Sequence, residues 1–201
     1  MNKKFRIAIL ASGSGTNAEA IFKYFKNHSD IDVSLLLTNN AHAYVLERAK
    51  THHIESRIFN RLEFRESQVV LEWLLEKKIT HIVLAGFLWL IPDYLIASYP
   101  DRIINIHPAL LPLYGGKGMY GMKVHQAVKD SGSNESGITI HLVNEKYDEG
   151  KIIFQARCTF EKTCTPNDIA NHVHALEHAH YPRIIETWIL NSSPQTVNPS
   201  L

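Results

Sequence analysis

The sequence is poor in cysteine, in net charge and in long apolar runs. Only two of its 201 residues are cysteines, and Cys158 and Cys164 do not form a C-x-x-C pair, so two reduced thiols are expected. A formal net charge of +1 gives no electrostatic case for nucleic acid or an anionic membrane. Basic residues 1–4 lead into only a short apolar run, so neither a signal peptide nor a membrane span is expected. These shortages predict a cytoplasmic protein with no nucleic-acid or membrane partner.

The patterning that is present predicts an α/β fold. Apolar strand patterns alternate with helix-period segments, which is typical of a doubly wound, largely parallel sheet. An antiparallel C-terminal extension and a long C-terminal helix should follow. The length favours a single domain, 1–201, with a polar tail from about residue 191. The predicted strands cover residues 6–11, 33–37, 56–59, 80–86, 103–106, 136–143 and 152–158. The predicted helices cover residues 18–26, 42–52, 62–78, 122–129 and 166–190, with a brief one after Pro92.

A glycine turn, residues 12–17, joins the first strand to the first helix. Such a turn aims free backbone N–H groups and a helix N-terminus at an anion. Gly13, Gly15 and Ala18 fit the dinucleotide fingerprint G-x-G-x-x-A, but residues 38–40, which end the second strand, include no acid to hold a ribose. The sequence therefore favours a phosphate site over a dinucleotide site, and a purely structural turn stays open as the alternative.

The short strand at residues 103–106 ends in polar side chains. Pro108 cannot donate to a sheet ladder, and Asn105 and His107 are two residues apart, so both should project from one face of the strand's end. Ligands bind at that edge in open α/β sheets. An amide that can hydrogen-bond an oxyanion would lie beside an imidazole that can move a proton. The alternative is a capping asparagine and a buried structural histidine.

A glycine-rich loop follows directly. Four of the seven residues 115–121 are glycines, which predicts a mobile lid over the neighbouring site, or otherwise a flexible surface connection.

His174 and His178 form an i, i+4 pair that could hold a metal. No third ligand is evident, and the intervening residues do not match H-E-x-x-H. A solvated helix face is the favoured interpretation, and no metal is expected.

Three motifs occur in order: the glycine turn, Asn105-Ile106-His107-Pro108 followed by Leu110-Leu111-Pro112, and Tyr147-Asp148-Glu149-Gly150. Together they resemble the folate-dependent formyltransferase family over residues 6–190. The resemblance implies a Rossmann-like formyltransferase fold and a monomer or weak homodimer. It also implies transfer of a formyl group from 10-formyltetrahydrofolate, as co-substrate, to the amine of a ribosyl-glycinamide phosphate in purine synthesis.

The resemblance also assigns roles to individual residues. The catalytic trio it implies is Asn105, His107 and Asp148. Binding of the phosphorylated substrate is implied for Gly15, Thr16, Asn17 and Glu177. Folate binding is implied for Arg65, Leu88, Trp89, Leu90, Ile91, Asn105, Asn144 and Asp148, with residues 144–148 closing over the pterin.

The chemistry of such a transfer needs two donors for the oxyanion that forms when the amine attacks the formyl carbon. The Asn105 amide and a protonated His107 fit this task, and the imidazole can also protonate the leaving nitrogen. Asp148 is expected to raise the pKa of His107. Two alternatives stay open, a 10-formyltetrahydrofolate hydrolase that uses water as nucleophile and a non-catalytic module that binds nucleotide phosphates.

Overall fold

The computed structural model describes residues 4–192, so most of the predicted polar tail lies outside the described residues. The strands are β1 (Phe5–Leu10), β2 (Ile31–Thr38), β3 (Ser56–Ile58), β4 (His81–Leu84), β5 (Ile103–His107), β6 (Glu135–Leu142) and β7 (Ile152–Thr159). The helices are α1 (Thr16–Phe25), α2 (Val45–Thr51), α3 (Arg61–Arg65), α4 (Val69–Glu76), α5 (Asp93–Ser98), α6 (Met122–Asp130) and α7 (Pro166–Leu190). Within residues 4–192, none of the helices combines the length and apolar character that a membrane crossing requires.

The seven strands form one sheet in the order β3-β2-β1-β4-β5-β6-β7. The first five are parallel, whereas β6 runs antiparallel to β5 and β7 runs antiparallel to β6. Alternate side chains of β1 enter two separate cores, Ile7 and Ile9 on the face of α1 and α7, Ala8 and Leu10 on the face of α4 and α5. The predicted doubly wound sheet with its antiparallel extension is confirmed.

One predicted helix, residues 62–78, is wrong, because the chain forms α3 and α4 there instead. Phe64 and Val70 are both fully buried. In one continuous helix, Ser67 and Gln68 would lie on the same face as Phe64, three and four positions on, and would carry polar side chains toward the core, whereas both are exposed. The chain breaks at exposed residues 66–68, where Gln68 has a φ of 56°.

Helix α7 begins and ends as the sequence predicts. The Thr165 side chain accepts a hydrogen bond from the Asp168 N–H in a capping box, and Pro166 occupies the first turn. Tyr181, fully buried, donates to the Leu84 carbonyl at 2.8 Å and so fixes α7 beside the end of β4. The same helix face carries Glu177 to the carboxyl edge of the sheet.

Candidate active site

A cavity of about 600 Å³ lies at the carboxyl ends of β1, β4 and β5. This is the edge at which an open α/β sheet binds ligands. The lining includes residues 13–17, 84–91, 105–108, 116–121 and 146–148, together with His125, His141, Val143, His174 and Glu177. The glycine turn, the polar end of β5 and the glycine-rich loop therefore border one space, as the sequence predicts.

Asn105 is held by a histidine from the neighbouring strand. It lies opposite His141 in the antiparallel register of β5 and β6, and its Nδ2 lies 3.1 Å from His141 Nε2. His141 Nδ1 donates to the Leu142 carbonyl at 2.8 Å, so in neutral imidazole Nε2 is the acceptor. One N–H of the Asn105 amide thus binds His141, and the second is left for a ligand.

His107 is 3% exposed and has a protein group at each ring nitrogen. Nε2 donates to the Tyr114 carbonyl at 2.8 Å, and Nδ1 lies 3.5 Å from Asp148 Oδ2. Burial lowers the pKa of His107 and outweighs the Asp148 charge and the Tyr114 bond, which both raise it. Asp148 thus raises the pKa of His107 as expected, and burial, which the sequence did not reveal, leaves this pKa below its ordinary value.

Asp148 bridges the trio to the glycine-rich loop. Its Oδ2 accepts a hydrogen bond from the Gly116 N–H at 2.9 Å, and its Oδ1 lies 3.6 Å from His141 Nε2. Burial raises the pKa of Asp148, but His141, His107 and Gly116 together lower it below the ordinary value. The turn depends on Gly150, since a Cβ there would lie 1.7 Å from the Leu142 carbonyl oxygen.

The glycine turn leaves the N-terminus of α1 without a side-chain cap. Gly15 precedes the helix with a φ of 74°, a conformation that favours glycine. Asn17 Nδ2 donates to Glu177 Oε2 at 2.9 Å, whereas Asn17 Oδ1 is buried and has no hydrogen-bond partner among the described residues. Burial raises the pKa of Glu177 to about 7, against the effect of the Asn17 bond. Uncapped amides and unmet polar atoms are suited to a ligand.

The residues expected to bind folate are only partly brought together. Leu88, Trp89, Leu90 and Ile91 line the cavity, and Ser12 Oγ accepts a hydrogen bond from the Leu88 N–H at 3.1 Å. The Trp89 ring centroid lies 5.9–6.3 Å from those of Phe59, Phe64 and Phe87.

Two of the expected folate residues are not among the cavity lining. Arg65 is exposed at the end of α3, and Asn144 accepts a hydrogen bond from the Lys146 N–H at 3.1 Å within its own turn. Neither side chain is assembled with the rest of the expected site.

Three histidines that line the cavity, His125, His141 and His174, were not predicted from the sequence to lie there. His141 follows Thr139 on one face of β6, and antiparallel pairing with β5 was the available signal for its place beside Asn105. His125 is 2% exposed on α6, and burial, with nearby His174 and His107, lowers its pKa to about 4. No signal in the sequence distinguished His125 from an ordinary helix residue.

The structure also shows whether side chains are grouped so that they could bind a metal ion. Within residues 4–192, no three histidine, cysteine, aspartate or glutamate side chains are grouped so that they could hold a metal ion. His174 and His178 are both exposed on α7, but His174 also borders the cavity, with its ring centroid 6.2 Å from that of His125.

The doubly wound sheet and the cavity at its carboxyl edge can be compared with those of known protein families. The family model described as Formyl transferase matches residues 5–185. The chain belongs to the formyl transferase family.

Similar proteins within this family carry a more specific name. A protein named phosphoribosylglycinamide formyltransferase, chloroplastic, from Arabidopsis thaliana is 38% identical over 189 residues, which are 91% of this chain and 65% of the relative. A phosphoribosylglycinamide formyltransferase from Bacillus subtilis is 37% identical over 189 residues, covering 92% of this chain and 93% of the relative. The chain thus spans less than two thirds of the Arabidopsis relative's length and nearly all of the Bacillus relative's.

Solved structures show the same fold. The crystal structure of phosphoribosylglycinamide formyltransferase from Anaplasma phagocytophilum matches with a TM-score of 0.86 and 30% identity, covering 94% of this chain and 88% of that one. The corresponding enzyme from Bacillus halodurans matches with a TM-score of 0.85 and 33% identity, covering 96% of this chain and 100% of that one.

Proposed function

We propose that this chain transfers the formyl group of 10-formyltetrahydrofolate to the amine of 5'-phosphoribosylglycinamide, a step of de novo purine biosynthesis. The observation that carries the proposal is the convergence of Asn105, His107 and Asp148 in one cavity with an uncapped glycine turn. Relatives named for this reaction support it, since they match nine tenths of the chain.

In this proposal the two substrates bind to different parts of the cavity lining. The phosphate of the ribonucleotide binds the glycine turn through Gly15, Thr16 and Asn17, where helix N–H groups and the helix dipole favour an anion. Glu177 holds the same substrate, and its carboxyl is shared between ionised and protonated forms at neutral pH. The folate binds along the apolar lining, Leu88 to Ile91, and under the loop that carries Asp148.

In the proposed mechanism the substrate amine attacks the formyl carbon and negative charge develops on the formyl oxygen. The free N–H of the Asn105 amide and the His107 Nε2–H donate to that oxygen, and losing one such donor typically costs ~10²–10³ in rate. Nε2 must exchange the Tyr114 carbonyl for the substrate, which couples the chemistry to the start of the glycine-rich loop.

Proton transfer completes the reaction. Breaking the bond between the formyl carbon and the folate nitrogen needs a proton, which His107 supplies; the imidazole then takes up the proton that the attacking amine loses and returns to its starting form. Asp148 favours imidazolium at His107, against the burial that lowers this pKa. The growing oxyanion adds a second negative charge with the same effect.

A coupled assay tests the proposal. Purified protein is mixed with 10-formyltetrahydrofolate and 5'-phosphoribosylglycinamide, and the release of tetrahydrofolate is followed. Turnover should require the ribonucleotide and yield its formylated product. Folate release at the same rate without the ribonucleotide would contradict the transferase and identify a hydrolase.

We also propose that residues 1–201 form one formyltransferase domain that acts as a monomer or weak homodimer in the cytoplasm. Both cysteines are free thiols, which suits a reducing compartment. Sedimentation of the purified protein over a range of concentrations tests the assembly state.

A further inference from the structure

Helix α2 holds the glycine turn from behind. The Val45 N–H donates to the Gly13 carbonyl at 3.2 Å, and Arg48 Nε donates to the Ser14 carbonyl at 2.8 Å. These carbonyls belong to consecutive peptide units of the turn. Helix α2 therefore fixes the orientation of two peptide planes beside the cavity.

The orientation of a peptide plane decides what the turn offers a ligand. In a trans peptide the C=O and N–H groups point in opposite directions. With the Gly13 and Ser14 carbonyls directed at α2, the N–H groups of Ser14 and Gly15 point away from it. Successive N–H groups directed to one side form an anion-binding concavity, and these same residues line the cavity.

A carboxylate beside the turn makes the local charge unfavourable for an anion. Glu19 is in the first turn of α1, and its carboxylate accepts a hydrogen bond from Arg48 Nη1. Lys23 also pairs with Glu19, at 3.0 Å, and His52 Nε2 lies 3.8 Å from it. The Arg48 guanidinium lies 5.0 Å from the Tyr44 ring centroid, which helps to fix it in place.

Only a guanidinium can perform both tasks at once. Its nitrogens form a rigid planar fork, so Nε can bind a carbonyl of the turn while Nη1 binds Glu19. A lysine at this position would supply the charge from a single nitrogen. Arg48 itself is not part of the cavity lining, so it acts through the turn.

We propose that Arg48 is the positioning residue for the substrate phosphate, holding the glycine turn with its N–H groups toward the anion and neutralising Glu19 beside it. The inference rests on the proposed function, which supplies a phosphorylated substrate. Without Arg48 the Ser14–Gly15 peptide can rotate, because glycine adopts both signs of φ, and it would then present a carbonyl oxygen to the phosphate.

The experiment measures binding of ribose 5-phosphate by titration calorimetry to the parent and to Arg48→Gln. The variant should bind at least about tenfold more weakly, as expected when a charge-assisted hydrogen bond is removed. At saturating ribonucleotide its kcat should stay within about threefold of the parent, and the KM for folate should not change. A general loss of structure would alter all three quantities.

Arg57→Gln is the matched control. The Arg57 side chain is 22% exposed, as is that of Arg48, and it also pairs with two groups, Glu55 and Glu76. It lies on β3, outside the cavity lining. This control loses comparable ion pairs and should keep the parent affinity for ribose 5-phosphate.

Two further variants separate the two tasks. Adding Glu19→Gln to Arg48→Gln should restore part of the lost affinity, since the carboxylate that Lys23 alone then neutralises is gone. Arg48→Lys keeps the charge and should bind with intermediate affinity, and it carries the test if Arg48→Gln does not fold. No recovery with Glu19→Gln, together with equal affinities for Arg48→Gln and Arg57→Gln, would overturn the inference.

The outcomes also distinguish this inference from the proposed function. Binding that depends on Arg48, without formyl transfer, would contradict the function and support the positioning role. Formyl transfer with a ribonucleotide KM that is independent of Arg48 would overturn the positioning role alone. A parent chain that binds neither ribose 5-phosphate nor inorganic phosphate would overturn the inference.

Discussion

Replacing Asp148 by asparagine removes one charge from the proposed active site and changes little else. Asp148 has a φ of 58°, and asparagine tolerates that left-handed conformation as well as aspartate does. The amide oxygen can still accept the Gly116 N–H, which binds the carboxylate at 2.9 Å. The variant therefore tests the charge rather than the shape of the turn.

The size of the effect follows from the distance between the two groups. Asp148 Oδ2 lies 3.5 Å from His107 Nδ1. Two unit charges at this separation interact by about 5 kcal/mol at an effective dielectric constant of about 20. His141 and Gly116 share the carboxylate, so only part of this energy acts on His107, and losing the charge should lower the pKa of His107 further. The protonated fraction of His107 at neutral pH falls accordingly, and kcat should drop by about 10², or more.

Two measurements check this prediction. Steady-state kinetics should show the loss in kcat with a nearly unchanged ribonucleotide KM, because the charge acts on the transition state. An NMR titration should show a lower His107 pKa in the variant. Glu149→Gln is the control, since Glu149 is exposed and pairs with Lys146 at 3.1 Å. A kcat within tenfold of the parent, or an unmoved His107 titration, would refute the role given to Asp148.

Three further predictions concern the substrate site, the loop and the response to acid. Gly15→Ala should raise the ribonucleotide KM at least about tenfold but not the folate KM in initial-rate assays, because its φ is 74° and a Cβ would collide with α2; an equal rise in both would contradict the phosphate site. Residues 115–121 should exchange amide hydrogens more slowly with both substrates bound, and identical slow exchange in the two states would argue against a lid. Burial lowers the pKa of His81 to about 3 and of His125 to about 4, so each takes up a proton on unfolding below pH 6.5, whereas Glu177, at about 7, releases one. These three groups give a net uptake of one proton, and the lowered pKa of His107 adds to it. The free energy of unfolding, from urea titrations, should therefore fall by at least about 1.4 kcal/mol per pH unit between pH 6 and 5; a flat profile would be inconsistent with these burials.

The fold was predictable wherever periodicity was strong. Helix α7 shows its capping box and its proline in the sequence, and β5 shows an apolar run closed by Pro108. The break between α3 and α4 is also visible in the sequence, because polar Ser67 and Gln68 occupy the positions that a continuous helix would place on the face of Phe64.

The site was predictable only where strand ends define it. The shared position of Asn105 and His107 could be predicted because residues two apart on β5 project to the same face. The position of the glycine turn could be predicted because it lies between β1 and α1. Arg65 and Asn144 carry no such constraint, since each is a polar residue at the end of a short segment, and neither reaches the cavity lining. The resemblance predicts the position of a side chain well only where packing fixes the local backbone.

The net direction of the His107 pKa shift could not be predicted from the motif alone. The neighbouring carboxylate of Asp148 can be inferred from the sequence, because it depends on a single charged residue in a single turn. Desolvation depends on everything packed around the ring, and His107 lies between β4 and β6 in the middle of the sheet's polar edge. Burial and the Asp148 charge therefore oppose each other at this imidazole, and burial sets the net direction of its pKa. In the proposed mechanism the developing oxyanion is a further charge that favours the protonated ring, so the interaction would strengthen in the transition state, where it accelerates a reaction.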